Sequence, residues 1–239
     1  MAKQRTLEGK TALVTGGSRG IGLAVAHTLG ELGASVSICA LDAHRLERAV
    51  SELKSRGIRT LGMHADVTQA TDVELLVQKT QISLGPIEIL VNNAGIGYFG
   101  PVQQASEAVW DTVLDTNLKG VFLATKAVAP GMIERRSGHV INIASLAGKN
   151  SFAGGAIYCA SKWGLLGFTA SAAEDLRAYG IRVSAVCPGS VATEFGPHAG
   201  KDVSKMLKPE DVAHAVEMLV TQAPESFISE ISMRPTQKP

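Results

Sequence analysis

Apolar and polar positions fall into two patterns along this chain: short, near-continuous apolar runs, and longer stretches whose apolar residues recur at helical spacing. The short runs cover residues 12–15, 35–40, 60–65, 87–92, 139–144, 182–187 and 227–233. Continuous apolar character predicts strands buried on both faces, as in a parallel sheet. The longer stretches predict helices over 20–32, 43–56, 71–84, 106–132, 156–179 and 209–222. Asp42 suits an N-cap and Pro209 a first helical position, while Gly57, Gly85-Pro86 and Gly180 stop the helices before them. The long stretch 106–132 is expected to break near Pro130. Seven strands alternating with six helices predict a doubly wound α/β sheet, with helices on both faces.

Length and composition narrow the picture. The 239 residues suit a single domain, 1–239, since no repeat or low-complexity linker divides them. With 45% apolar and 19% charged residues a sizeable core can form. A net charge of +1 gives no reason to expect nucleic acid as a partner. Twenty-five glycines are too many for a plain helical bundle and point to tight turns. No apolar run approaches the roughly 18 residues of a membrane span. Met1–Arg5 lead into polar residues rather than a signal-peptide core, and Cys39, Cys159 and Cys187 lack metal-ligand spacing. His27, His44, His64, His139, His198 and His214 form no paired metal motif either. The expectation is a soluble, cytoplasmic protein that uses no metal and no membrane.

The first strand runs into Thr15-Gly16-Gly17-Ser18-Arg19-Gly20-Ile21-Gly22. Glycines at a strand-to-helix turn let a pyrophosphate approach main-chain N–H groups at a helix N-terminus. The spacing is Gly-x-x-x-Gly-x-Gly, and three more landmarks follow in order. Asn92-Asn93-Ala94-Gly95 ends the fourth strand, Ser145 ends the fifth, and Tyr158-Cys159-Ala160-Ser161-Lys162 opens the next helix. With these motifs, from Gly9 to about Arg234, the chain resembles the short-chain dehydrogenase/reductase family. That resemblance implies a Rossmann-type fold, with a dinucleotide-binding half of about 8–95 and a catalytic half of about 96–239.

It also implies cofactor positions. Gly16, Gly20 and Gly22 would face the pyrophosphate, with Ser18, Arg19 and Ile21 in the same turn. Asp66, followed by Val67, would accept a hydrogen bond from the adenine amine; read by itself, Asp66 serves equally as a turn or helix cap. Asn93, Ala94 and Gly95 would border the adenosine side. Pro188, Gly189, Val191 and Thr193 would hold the nicotinamide carboxamide, although Pro-Gly is also an ordinary turn. An acid at the end of the second strand selects NAD by binding the ribose 2′-OH. Here that position is Ala40, followed by Leu41, and Arg19 stands where a basic residue suits a phosphate. Asp42 is either a displaced acid or the cap of the next helix, and Arg19 either a phosphate ligand or a solvated charge. The expectation is NADP(H), with NAD(H) possible.

Tyr158 and Lys162 are four residues apart and share one helix face. A free phenol has a pKa of about 10, and a neighbouring Lys162 ammonium together with a positive oxidised nicotinamide is expected to lower it in a poorly solvated cleft. Ser145 should project from the carboxyl end of its strand, where open α/β sheets place their sites. Any one of these residues alone is ordinarily structural; together, in this order, they read as a catalytic set. The resemblance adds Asn117 and implies hydride transfer between a nicotinamide and a carbonyl carbon. In it Tyr158 is the acid/base, Lys162 also binds cofactor, Ser145 holds the carbonyl, and Asn117 orders water toward Lys162. Ala144-Ser145-Leu146 is not a hydrolase elbow. Cys159 points to another helix side and reads as packed.

Substrate selection is expected from residues 94–104, 146–157 and 190–208. Tyr98, Phe99, Phe152 and Phe195 serve there as pocket lining or as core cover, and Lys149 adds one charge. Gly196, Pro197 and Gly200 suggest a mobile lid over a pocket of modest depth. The body is similar to 3-oxoacyl-acyl-carrier-protein reductases. The ending Ser232-Met233-Arg234-Pro235-Thr236 looks more like sepiapterin-reductase-type carbonyl reductases. The reading is thus a reductase of a small ketone or 3-oxoacyl compound, assembled as a homodimer or homotetramer through the long helices. The alternative is an NADP(H)-binding regulator without chemistry, which has no need of Ser145, Tyr158 or Lys162. A purely structural interaction domain has no supporting feature.

Overall fold

The computed structural model describes residues 6–196 and 202–239. Seven parallel strands form one sheet in the order β3-β2-β1-β4-β5-β6-β7. They are β1 (Thr11–Thr15), β2 (Ser35–Ala40), β3 (Thr60–His64), β4 (Ile87–Asn92), β5 (Gly138–Ile143), β6 (Ile181–Pro188) and β7 (Glu230–Met233). The chain starts β1 in the middle, builds outward to β3, then returns beside β1 with β4 and builds the other way. The crevice between β1 and β4 is therefore the point where strand order reverses, the place such sheets offer to ligands.

Among the described residues seven helices cover the sheet: α1 (Gly20–Glu31), α2 (Ala43–Ser55), α3 (Ala70–Leu84), α4 (Glu107–Leu114), α5 (Gly120–Arg135), α6 (Ala156–Arg177) and α7 (Pro209–Thr221). On one face Val25 and Leu29 of α1, Leu46 and Leu53 of α2, and Val212 and Leu219 of α7 share a core with Val14, Ile38 and Val186. On the other, α3, α5 and α6 bury Leu76, Met132 and Leu176 against Leu13, Leu90 and Val140. Strands covered on both faces account for the unbroken apolar runs.

The long helical stretch breaks elsewhere than expected. Pro130 lies inside α5, and the irregularity is a π-helical turn at Asp115–Lys119 between α4 and α5. Pro130 is exposed, so water can satisfy the carbonyl that its missing N–H leaves unpaired. The last strand is also shorter than the apolar run that predicts it. Just before it, the Ile228 N–H donates to Gln222 Oε1 and the Ser184 hydroxyl to the Ile228 carbonyl, so side chains replace the ladder there.

Buried polar groups tie the elements that carry the site. Asn92 of β4 donates to Asn142 Oδ1 of β5 at 2.8 Å, and Asn142 donates to Thr169 Oγ1 of α6 at 2.8 Å. A buried polar chain of this kind fixes α6 against β5 more specifically than apolar contact does.

Candidate active site

A cleft of about 1360 Å³ opens at the carboxyl ends of the strands and runs from the glycine turn after β1 to the start of α6. Its reactive end is built from three elements. Ser145 follows β5 in extended conformation; its hydroxyl accepts from the Ala147 N–H at 3.1 Å, and it stands close enough to the Tyr158 phenol to oppose the rise in its pKa. Tyr158 and Lys162 lie on the first turns of α6, with Lys162 Nζ 5.9 Å from the tyrosine ring centre. Lys162 is buried and donates to the carbonyl of Ile143, the last residue of β5, at 2.9 Å.

Aromatic rings enclose the phenol. Phe99 lies 5.4 Å from the Tyr158 ring and Phe195 5.7 Å, with Phe152 stacked 6.3 Å from Phe99. This burial sets the electrostatics. It pushes the phenol up to about 12, against the opposing effect of Ser145, and pulls the Lys162 ammonium down to about 8. The protein's own field, without a nicotinamide, does not supply the acidification of Tyr158. Desolvation is the largest influence on the phenol, and one N–H of Lys162 Nζ is engaged by the Ile143 carbonyl.

At the other end Gly16 has φ +63° and packs against Ala94; a Cβ there would lie 2.9 Å from Ala94 Cα. Asn93 Nδ2 donates to the Thr15 and Gly16 carbonyls, both at 3.0 Å, and Thr15 Oγ1 accepts from the Asn93 and Ala94 N–H groups. These bonds fasten the β4 loop to the glycine turn. Space for a close-lying chain is reserved by glycines, and the N-terminus of α1 opens behind them, which fits a bound pyrophosphate.

A match to the short chain dehydrogenase family model spans residues 10–204. The chain belongs to the short-chain dehydrogenase family. It is 37% identical over 231 residues to 2-(S)-hydroxypropyl-CoM dehydrogenase 3 of Xanthobacter autotrophicus, covering 90% of this chain and 91% of that one. It is 39% identical over 199 residues to the 3-oxoacyl-(acyl-carrier-protein) reductase FabG of Staphylococcus epidermidis, covering 83% and 82%. A crystal structure of a metagenomic short-chain oxidoreductase in complex with NADP superposes with a TM-score of 0.87. The two chains share 43% identity, and the match covers 98% of this chain and 100% of that one.

In this short-chain dehydrogenase most of the expected cofactor positions line the cleft: Gly16, Ser18, Arg19, Gly20, Ile21, Asp66, Val67, Asn93, Ala94, Gly95, Pro188, Gly189, Val191 and Thr193, besides Ser145, Tyr158 and Lys162. Two do otherwise. Gly22 does not reach the cleft; a Cβ there would sit 2.3 Å from the Gly16 carbonyl oxygen and 2.4 Å from Asn93 Nδ2, so it serves packing under the turn. Asn117 is fully buried in the π turn. Its Nδ2 donates to the Ile96 carbonyl at 2.8 Å and Ser161 Oγ at 3.0 Å, and its Oδ1 accepts from the Ile96 N–H at 2.8 Å. Its side chain thus joins the β4 loop to α6 and positions both. Asp66 lines the cleft and also makes the turn, its Oδ1 accepting from the Thr68 N–H and hydroxyl.

Among the aromatic candidates Phe99, Phe152 and Phe195 line the cleft and Tyr98 does not. Lys149 pairs with Glu230 outside it. Cys159 is buried beside Ala147, as expected of a packed residue. Pro197, His198 and Gly200 lie outside the described residues.

Sequence reasoning missed Arg45, Glu194 and the residues after β7. Asp42 caps α2, accepting from the Arg45 N–H at 3.0 Å, and its other oxygen lies 3.2 Å from Arg45 Nε. Arg45 Nη1 then reaches Glu194 Oε2 at 2.7 Å, and Arg19 Nη1 meets the same oxygen at 3.2 Å. Arg234 and Lys238 of the C-terminal segment also line the cleft. An arginine three residues after the cap of α2 was the one available signal.

Proposed function

We propose that this short-chain dehydrogenase uses NADPH to reduce the carbonyl of a small, largely apolar ketone or 3-oxoacyl compound to a secondary alcohol. The observation that carries the reading is the Tyr158 phenol, buried between Phe99 and Phe195 and sharing with Ser145 and Lys162 the cleft that the glycine turn opens. Nicotinamide dinucleotide, when bound, supplies the hydride to the carbonyl carbon. Tyr158 gives its proton to the carbonyl oxygen, and the Ser145 hydroxyl holds that oxygen in place. Lys162 orients the nicotinamide ribose, and Asn117 positions the β4 loop and α6. Gly16, Ser18, Gly20 and Ile21 take the pyrophosphate, with Arg19 turned to the ribose 2′-phosphate; Asp66, Val67, Asn93, Ala94 and Gly95 take the adenosine; Pro188, Gly189, Val191 and Thr193 take the carboxamide.

The choice of NADP(H) over NAD(H) is supported by Ala40 in place of an acid, by the capping role of Asp42, and by a similar structure that holds NADP. The same reading assigns about 8–95 to dinucleotide and about 96–239 to catalysis and substrate. The aromatic wall supports an apolar substrate body, and the names of the relatives are compatible with 3-oxo compounds. It includes a homodimer or homotetramer, supported by Trp110, Phe122 and Trp163, exposed on α4, α5 and α6. A cytoplasmic setting is part of it, and three buried free thiols suit a reducing compartment.

The test is NADPH consumption across acetoacetyl thioesters, diketones, aldehydes, quinones, pterins and ketosteroids, with Tyr158→Phe as control. Turnover that depends on Tyr158 supports the reading; no turnover with any carbonyl, or equal turnover by the variant, sinks it.

A further inference from the structure

The arginine pair beside the glycine turn has a partner that its place in the cleft does not explain. Arg19 leaves the turn after β1, and Arg45 leaves the first turn of α2, just past the end of β2. In a doubly wound sheet the adenosine ribose of a nucleotide held by that turn lies past the end of β2. Both guanidinium groups are turned onto a single carboxylate oxygen of Glu194, which comes from the segment after β6, 149 residues beyond Arg45.

Resting on the NADP(H) reading, which already turns Arg19 to the ribose 2′-phosphate, we propose that Arg45 completes that clamp and that Glu194 is a built-in competitor holding both guanidinium groups until the phosphate displaces it. One oxygen receiving two guanidinium N–H groups is the arrangement a phosphate oxygen takes in such a fork. Charge favours exchange. Glu194 brings one negative charge, whereas a phosphate monoester carries about −1.5 to −2 at neutral pH and offers three acceptor oxygens. The Glu194 carboxyl is held below its ordinary range by Arg45 first, then Arg19 and Arg48, so it is ionised and repels an arriving phosphate. Asp42 does not compete in the same way, because its oxygens are taken by the α2 cap and Arg45 Nε. All three partners are solvent-exposed, with side chains between 37% and 68% accessible, so the pairs holding Glu194 are weak enough to break. The segment is also well placed to sense the exchange: Thr193 lies 3.3 Å from the position a Cβ on Gly20 would take, and Phe195 rests on Tyr158.

The test is calorimetric titration of the full chain, with no carbonyl present, using 2′,5′-ADP and 5′-AMP as probes. Glu194→Gln should bind 2′,5′-ADP about 3- to 10-fold tighter, the worth of two exposed ion pairs, with 5′-AMP changed less than about twofold. Arg45→Ala should lose about 10-fold for 2′,5′-ADP and almost nothing for 5′-AMP. In the double variant the gain from Glu194→Gln should shrink, since its partner is gone. Melting temperatures confirm folding, and Arg45→Lys, which keeps the charge but loses the fork, should fall between wild type and Arg45→Ala. An Arg45→Ala protein with unaltered 2′,5′-ADP affinity overturns the proposal. So does a Glu194→Gln protein that tightens both probes equally or neither. The reductase reading fails separately: these binding results together with no carbonyl-dependent NADPH consumption leave the clamp standing and remove the activity. Normal turnover with no effect of either variant does the reverse.

Discussion

Lys162 is a cation in a place that does not favour one, and the cost can be measured. The side chain is 5% exposed, and burial lowers its pKa from 10.5 to about 8. In the unfolded chain it titrates near 10.5, so between about pH 8 and 10.5 the unfolded state binds the proton that the folded state has released. Stability therefore rises with pH through this window, and the full penalty applies below pH 8. A difference of 2.5 units corresponds to about 3 kcal/mol against the folded protein at pH 7. Lys162→Met keeps the length and removes the charge. It also removes the hydrogen bond to the Ile143 carbonyl, a loss of about 1 kcal/mol.

The expected net result is a variant more stable than wild type by about 2 kcal/mol at pH 7. Urea unfolding of both proteins at pH 7, 8 and 9 in the absence of nucleotide reads it. The gain should shrink by about 1.4 kcal/mol for each unit above pH 8 and change sign before pH 10.5. A Lys162→Met protein that is less stable at pH 7, or that keeps a constant advantage across this range, refutes the reasoning. Its turnover should be lost in either event, as the role proposed for Lys162 on the nicotinamide ribose requires.

Three further outcomes follow from other parts of the structure. Tyr158→Phe should lower kcat by at least roughly 100-fold while nucleotide titrations stay near wild type, because only the proton donor is removed. Gly22→Ala places a methyl group 2.3 Å from the Gly16 carbonyl oxygen; urea unfolding should show a loss of about 2 kcal/mol, and titration weaker nucleotide binding. His139 is buried with Nε2 on Ser184 Oγ and Nδ1 without a partner, and burial, aided by Arg182, lowers its pKa to about 3. The stability it confers is complete above pH 6.5 and declines as the pH falls toward 3, by about 3 kcal/mol at pH 4. His139→Gln should flatten the urea midpoint between pH 7 and pH 4.

How much of this was readable in the residues divides along the range of the interactions. Strands β1 to β6 begin and end within a residue or two of their apolar runs. For β1, β2, β4, β5 and β6 the reason is burial on both faces, which leaves little room for polar residues, while the edge strand β3 is only partly covered. Tyr158 and Lys162 share a face by helical periodicity, and Ser145 follows a strand's carboxyl end, so local rules place all three at one end of the sheet. Pro130 misled because breaking a helix depends on whether the orphaned carbonyl meets water, which the residue itself does not show. Gly22 looked like a ligand position because its spacing is that of the turn; only the proximity of Gly16 and Asn93 shows that it lies beneath it. The Arg45–Glu194 contact was invisible. It joins the start of α2 to the segment after β6, and the crossovers that bring those together belong to the topology, not to any local pattern.

The two displaced pKa values also bear on direction. With the phenol near 12, Tyr158 is protonated throughout the physiological range, so the protein's own field keeps it ready as an acid. Reduction needs that acid, because the alkoxide formed when hydride reaches a carbonyl is more basic than any phenolate and takes the proton downhill. Oxidation needs the phenolate, which at pH 7 costs about 7 kcal/mol if nothing else stabilises it. Lys162 is the obvious source of help, yet it is drawn toward neutrality and fastened to Ile143, so its assistance depends on charge brought in by a ligand. Enclosure by Phe99 and Phe195 is what pushes the phenol in this direction. Opening that enclosure, as in Phe195→Ala, should lower the tyrosine pKa and shift the alkaline limit of alcohol oxidation downward, with carbonyl reduction at pH 7 less affected. An unchanged oxidation profile would show that the rings do not set the balance between the two directions.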